Sequence, residues 1–340
     1  MSEYINVAID GMGGDNAPGV TVQGAVDAIK ENAKLRVYIT GFEDQINAEL
    51  AKYDYNKDQI VVVPTTEMIE MAEPPVNAIR RKKDSSLVRA LNLIKDGTCV
   101  GVVSAGSTGA TLVGGQVIAG RLPGVDRAPL AVILPTIDGV TLLVDCGANV
   151  DARPDHLLKF AKMGSVYMES IMGIKNPKVG LVNIGAEEEK GNALVKETFP
   201  LLKNCPDINF VGSVEARDIP MGACDVCVCE AFTGNVILKG FEGLSSALIS
   251  KIKGALKSNL KTKIGALLIK KDLKKTLKGF STEEYGGAPL LGLKGLVIKT
   301  HGSSKAIEIK NSILQCITFS EQNINQKIQD KLALTENITE

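Results

Sequence analysis

Tryptophan is absent from this 340-residue chain, and aromatic residues of all kinds make up only 4% of it. That composition argues against an aromatic-rich β-sandwich. Histidine is nearly as scarce, with only His156 and His301. Both are remote in sequence from Cys224, Cys227 and Cys229, so a zinc site there lacks ligands and no metal is expected. Neither charge sign is in excess: 39 Lys and Arg balance 39 Asp and Glu. This excludes a nucleic-acid-binding field spread over the whole protein, and no nucleic-acid partner is expected. No apolar run reaches the roughly 18 residues of a membrane span. The dinucleotide fingerprint G-x-G-x-x-G and the phosphate loop G-x-x-x-x-G-K-[ST] are both missing, which turns the reading away from nicotinamide and ATP chemistry. The seven cysteines are odd in number and lie mostly within or beside apolar runs. With no signal peptide recognised, they indicate a reducing, cytoplasmic setting.

Glycine is plentiful at 34 residues, and 44% of the chain is hydrophobic. Short apolar runs at 4–9, 35–40, 60–63 and 100–103 read as strands, and 20–31 and 87–95 as helices. That spacing predicts βα crossovers and a layered α/β fold, its largely parallel sheet covered by helices on both faces. Further strands are expected at 130–135 and 141–144, joined by an Asp138-Gly139 hairpin, and at 179–184, 208–211, 226–229 and 296–299. Ser85 or Ser86 is placed to cap the helix over 87–95. A catalytic unit spans 1–320, divisible into two lobes, and 321–340 reads as a polar tail.

The strand ends carry the chemistry. The run at 100–103 opens into Ser104-Ala105-Gly106-Ser107-Thr108-Gly109, hydroxyls and small residues where a helix begins. Unpaired N–H groups at such a junction suit a phosphate-sized anion, although an ordinary strand–turn–helix needs the same residues. Asp10, Asp15 and Asn16 follow the first strand, either as a polar cleft wall or as turn-forming side chains. Arg80-Arg81-Lys82-Lys83 is a local anion attractor or a solvated basic face. Asn149 and Arg153 follow the strand at 141–144, Lys190 the one at 179–184, Asn235 the one at 226–229 and His301 the one at 296–299. Such punctuation predicts one crevice along the carboxyl edge of a parallel sheet. The Cys224-x-x-Cys227 spacing is redox-like, but Val226-Cys227-Val228-Cys229 reads better as a continuous buried strand. Within 251–278, ten lysines face the single acid Asp272. Ile252, Leu256, Leu260, Ile264, Leu267, Leu268, Leu273 and Leu277 recur among them at helical spacing. One or two basic amphipathic helices are expected there, with bends at Gly254 and Gly265 and an anionic lipid surface or acidic protein as partner.

Taken together, DGMGGDNAP, RKKDSS, SAGSTGA, DCGANVD, NIGAEEEKGN, FTGNV, YGGAPLLG and HGSS resemble the bacterial phosphate acyltransferase family over roughly residues 5–310. That family converts acyl carrier protein thioesters and inorganic phosphate into acyl phosphates for phospholipid synthesis. The resemblance implies an isocitrate/isopropylmalate dehydrogenase-like fold, a homodimer, no cofactor, and peripheral contact with the inner face of the membrane through 251–278. It also implies that Lys190, His301 and Asn235 are catalytic. Asp10, Asp15, Asn16, Ser104, Ser107, Thr108, Asn149 and Arg153 would bind substrate or phosphate. The chain departs from the family at Ser107, where SAGNTGA has asparagine, at Ala216 and Ala231, where glycine is expected, and at Glu230, where aspartate is expected. Competing readings are a phosphate acetyltransferase using acetyl-coenzyme A, a decarboxylating dehydrogenase, and a non-enzymatic membrane scaffold.

Overall fold

Eleven strands among the described residues form two sheets, and the helices between them return the chain so that neighbouring strands run mostly parallel. The computed structural model describes residues 4–278 and 285–336. The first sheet has the order β10 (Ala288–Leu290), β11 (Leu296–Lys299), β4 (Gly101–Ser104), β1 (Ile5–Asp10), β2 (Leu35–Gly41), β3 (Ile60–Pro64). The second has the order β5 (Ala131–Pro135), β6 (Val140–Val144), β9 (Val226–Val228), β7 (Lys178–Asn183), β8 (Asn209–Glu215). The expected Asp138-Gly139 hairpin joins β5 and β6, which pair antiparallel from Ala131↔Val144 to Pro135↔Val140.

Alternation along the strands assigns their faces. In β1, Val7 and Ile9 enter a core with Val22 and Val26 of α1 (Gly19–Glu31) and Ile309 and Ile313 of α10 (Ala306–Glu321). Ala8 points the other way, into a cluster with Ile79 of α3 (Pro75–Arg81), Leu87 and Leu91 of α4 (Ser86–Lys95) and Ala110 of α5 (Thr108–Gly114). The first core continues into the second sheet through Leu142, Val144 and Val226, covered by Phe160 and Tyr167 of α6 (Pro154–Ile171). One apolar core thus spans both sheets. The opposite face of the second sheet packs Leu143, Cys146, Cys224, Cys227 and Cys229 against Leu238 of α8 (Ala231–Lys257). Burial pushes the Cys146 and Cys229 thiols well above their usual range, so these sulfurs sit as packing groups.

The layered α/β architecture is as expected, and the polar turns belong to the carboxyl ends of two sheets rather than of one. β11 pairs antiparallel with β10, β10 meets the start of β5 through an antiparallel Leu130↔Leu290 bridge, and β5 is antiparallel to β6. Three reversals turn β6 against β11. The polar turns therefore divide between two edges, because strand order in space does not follow chain order. The cap expected from Ser85 or Ser86 is also absent: Ser85 Oγ donates to the Lys82 carbonyl at 2.8 Å, and α4 has no side-chain cap.

Residues 193–203 form α7 (Ala193–Lys203), and two helices follow one another over the basic region. α8 runs through Gly254 without ending, and α9 (Leu260–Lys278) runs through Gly265. The break falls at Ser258-Asn259, where the Asn259 side chain accepts from Thr262 N at 3.0 Å. Only Ala231, Gly234 and Leu238 of α8 are buried, so the helix leaves the body after its first turns. The side chains of Lys274, Lys275, Leu277 and Lys278, and residues 337–340, lie outside the described residues. In the region read as a polar tail, α11 (Ile324–Glu336) buries Ile324, Ile328 and Leu332 in the shared core.

Candidate active site

The carboxyl edge of the first sheet is built by register. Ile9 pairs with Val103 and Lys299 with Ser104, so the next residue of β1, Asp10, stands in a row with Ser104 and Lys299 across three adjacent strands. Ser104 Oγ donates to Asp10 Oδ2 at 2.8 Å and accepts from Gly106 N at 3.1 Å. Asp10 is 2% exposed, and its Oδ1 has no partner. Burial raises its pKa, while the Ser86 and Ser104 hydroxyls, the Met12 amide and Lys299 pull it back. The turn after β1 must approach closely. A Cβ on Gly13 would lie 2.5 Å from Asp10 Oδ2 and 2.7 Å from Gly106 N, and Gly14 has φ +103°.

The loop after β11 joins the same place. Asp15 N donates to the Gly302 carbonyl at 2.8 Å, tying the Asp10–Asp15 turn to the His301 turn. His301 is exposed, and its Nδ1 accepts from Ser303 N at 3.2 Å. A neutral His301 therefore carries its proton on Nε2 and presents a donor there. Buried oxygens without partners gather along this edge: Thr65 Oγ1 just past β3, and Thr300 Oγ1 and Ser304 Oγ just past β11. Asn16 is exposed and its carbonyl accepts from Val20 N at 3.2 Å. Ser107 caps α5, its Oγ accepting from Ala110 N at 3.4 Å, a task asparagine performs equally well. Thr108 is the first residue of that helix.

The second edge is built differently. Asp145 accepts from the N–H groups of Leu130, Gly147, Ala148 and Asn149 and from Asn149 Nδ2, at 2.7–3.2 Å. Asn149 Nδ2 also donates to the Ala128 carbonyl at 3.0 Å, which holds this side chain in the turn. Glu230 caps α8 by accepting from Thr233 N at 2.9 Å, so the longer side chain still performs a cap. Gly234 lets α8 press on the Asp145 peptide: a Cβ there would lie 1.9 Å from the Asp145 carbonyl oxygen. Exposed Asn235 consequently faces Gly147, its Oδ1 3.9 Å from where a Cβ would stand. Ala148 packs against the cluster holding Ala110 and Val297, which brings the Asn149 and Asn235 turn toward α5 and β11.

Lys190 and Arg153 are not drawn into either constellation. Lys190 lies beyond β7, exposed, with Nζ 2.8 Å from Glu187, which raises its pKa. Arg153 is exposed and forks onto Asp155 through two 3.0 Å bonds. The residue sequence reasoning missed is Lys299. It is 7% exposed, and a lysine ending an apolar strand two residues before His301 was a legible signal for it.

The model of the family described as "Fatty acid synthesis protein" matches residues 5–327. A protein named phosphate acyltransferase from Clostridium botulinum is 51% identical over 326 residues, covering 96% of this chain and 98% of its own length. The chain belongs to the bacterial phosphate acyltransferase family. A second relative of that name, from Alkaliphilus oremlandii, is 50% identical over 96% of this chain and 97% of its own. The chain is accordingly an enzyme, an acyltransferase of fatty acid synthesis. Its fold is shared with a phosphotransacetylase from Streptococcus pyogenes at TM-score 0.61 and 17% identity, covering 96% of this chain and 94% of the other. It is shared as well with the EutD phosphotransacetylase from Staphylococcus aureus, at TM-score 0.59 and 16% identity over 94% of each chain.

Proposed function

We propose that this enzyme transfers a fatty acyl group from acyl carrier protein to inorganic phosphate, giving an acyl phosphate for phospholipid synthesis. The observation that carries this reading is the convergence of Asp10, Ser104 and the His301 turn around buried oxygens that lack partners. Such a site favours a ligand rich in hydrogen-bonding oxygens. A phosphate oxygen attacks the thioester carbonyl carbon, a tetrahedral oxyanion forms, the C–S bond breaks and the carrier thiolate leaves to take up a proton. Phosphate is its own nucleophile, with a second pKa of about 6 in its esters, so neither a covalent protein intermediate nor a cofactor is required.

Ser104, Ser107 and Thr108, with adjacent N–H groups, hold phosphate, and Asp10, Asp15 and Asn16 orient it. The Nε2–H of His301 offsets charge growing on the carbonyl oxygen, and the ammonium of Lys190 joins it once it leaves Glu187 and swings to the substrate. Exposed Asn235 orients a substrate oxygen, Asn149 holds the neighbouring turn through Asp145 and Ala128, and Arg153 meets the donor's anionic groups. The chain acts as a cytoplasmic homodimer, and 251–278 meets anionic lipid or the acidic carrier. Exposed Leu244, Leu248, Leu267 and Leu268 beside the lysines support that contact. None of the described helices is long and apolar enough to cross a membrane.

The test mixes acyl carrier thioester with inorganic phosphate, without nicotinamide or added metal, and measures acyl phosphate and free carrier thiol together. Both products should appear in equal amounts. Absence of both across acyl lengths, with protein that melts cooperatively, rejects the reading. Turnover of acetyl-coenzyme A alone would favour the acetyltransferase reading.

A further inference from the structure

We propose that Lys299 is the ammonium that binds the phosphate of this site, an assignment that rests on the acyl-transfer reading above. Its place in the sheet comes first. Lys299 pairs with Ser104, which hydrogen-bonds Asp10, so three neighbouring strands end in a cation, a hydroxyl and a carboxylate side by side. Two residues earlier, Val297 lies in the cluster with Ala110 and Leu112, and a Cβ on Gly115 would stand 3.7 Å from it. α5 thus runs back over β11. Lys299 projects from the same strand face as Val297 but nearer the strand's end, on the side where the 104–109 turn enters α5.

Its pairing comes second. Lys299 Nζ donates to the Thr300 carbonyl, and among the described residues no carboxylate lies within the 4.0 Å of an ion pair. An ammonium has three donors, and a neutral carbonyl answers one of them. The other deeply buried lysine, Lys162 at 1% exposure, shows the usual solution: its Nζ sits 2.7 Å from Asp207. A buried cation without a counter-ion is costly, and its neutral form is favoured. Burial brings the Lys299 pKa down to about 8, opposed by Asp10 of β1 and Asp15 of the following turn and reinforced by Lys239 of α8. A phosphate dianion supplies the missing counter-charge. The neighbouring Asp10 Oδ1 and Thr300 Oγ1 are likewise buried without hydrogen-bond partners. Lys299 also explains how one edge holds both acids and an anionic substrate.

The experiment measures phosphate binding directly by calorimetry, and KM for phosphate and thioester separately, in the native enzyme, Lys299→Met and Lys299→Arg. Lys299→Met keeps the aliphatic stem and should weaken phosphate binding about 10- to 100-fold, as expected for a lost charge-assisted bond, with little change in thioester KM. In the native enzyme, phosphate affinity should fall with pH above about 8, approaching tenfold per pH unit, as the ammonium deprotonates. Lys299→Arg should remove that fall, because guanidinium stays charged. A purely structural lysine would not move the pH profile. Unchanged phosphate affinity in folded Lys299→Met, or a flat native profile from pH 8 upward, overturns the assignment. If Lys299→Met does not fold, the native and Lys299→Arg profiles decide. Lys299-dependent phosphate binding without any acyl phosphate would leave the assignment standing and reject acyl transfer. Acyl phosphate formed by Lys299→Met at native phosphate KM would do the reverse.

Discussion

Asp10 and Asp145 are two aspartates of one kind in two different situations. Each ends or directly follows a buried strand, each is 2% exposed or less, and each precedes a glycine turn. Burial raises the pKa of both. Asp145 is saturated: four backbone N–H groups and the Asn149 amide converge on its two oxygens. Asp10 has Oδ2 bonded to Ser104, with the Ser86 hydroxyl and the Met12 amide also favouring its charged form, and keeps Oδ1 without a partner. A saturated carboxylate ties a turn together, while one with an unanswered oxygen keeps acceptor capacity that the fold has not used. Burial alone does not separate structural from functional acids; the donors around each oxygen do.

Replacing Asp145 should have the largest effect and should fall on stability. Asp145→Ala orphans several buried N–H groups and should cost about 3–5 kcal/mol in urea unfolding. A loss below about 1 kcal/mol would erase the contrast. Asp10→Asn should do the opposite, changing stability by no more than about 1 kcal/mol while lowering kcat about 100-fold, a barrier increase near 3 kcal/mol. Native kcat in that variant would make Asp10 another structural knot.

His301→Gln tests the same edge from its exposed side. It should lower kcat about tenfold and leave the melting temperature nearly unchanged, as expected for removal of an exposed donor. The sign of the pH dependence offers a further measurement. Lys299 has a folded pKa of about 8, below its ordinary 10.5, so between these values the unfolded chain binds more protons. Stability should therefore rise as pH climbs from 8 toward 10.5, and Lys299→Met should flatten the rise in denaturant titrations. The smallest effect is expected for Ser107→Asn, which exchanges one good cap for another and should shift stability by less than about 0.5 kcal/mol.

Much of this site was legible before folding was considered. Hydroxyls at Ser104, Ser107 and Thr108 between an apolar run and a small-residue helix announce a strand–turn–helix, and His301 announces another. Lys299 was hidden by its company: in Leu296–Lys299 it reads as the polar end of a strand, and only burial and the lack of a carboxylate partner distinguish it. Ser86 reads as a cap from spacing, yet its hydroxyl acts on Asp10, which chain order places far away. Asn149 reads as a substrate contact, and its amide is engaged by Asp145 and Ala128.

By itself, the sequence determined the α/β class, the family, the β5–β6 hairpin and the identity of most polar turns, because apolar periodicity and turn chemistry are local. Tertiary structure decided which turns share an edge. Strand order, the three reversals between β11 and β6, and the row Asp10–Ser104–Lys299 arise from pairings between residues far apart in the chain. Whether a buried charge has a counter-ion also depends on those pairings, so local pattern could name the groups but not their state.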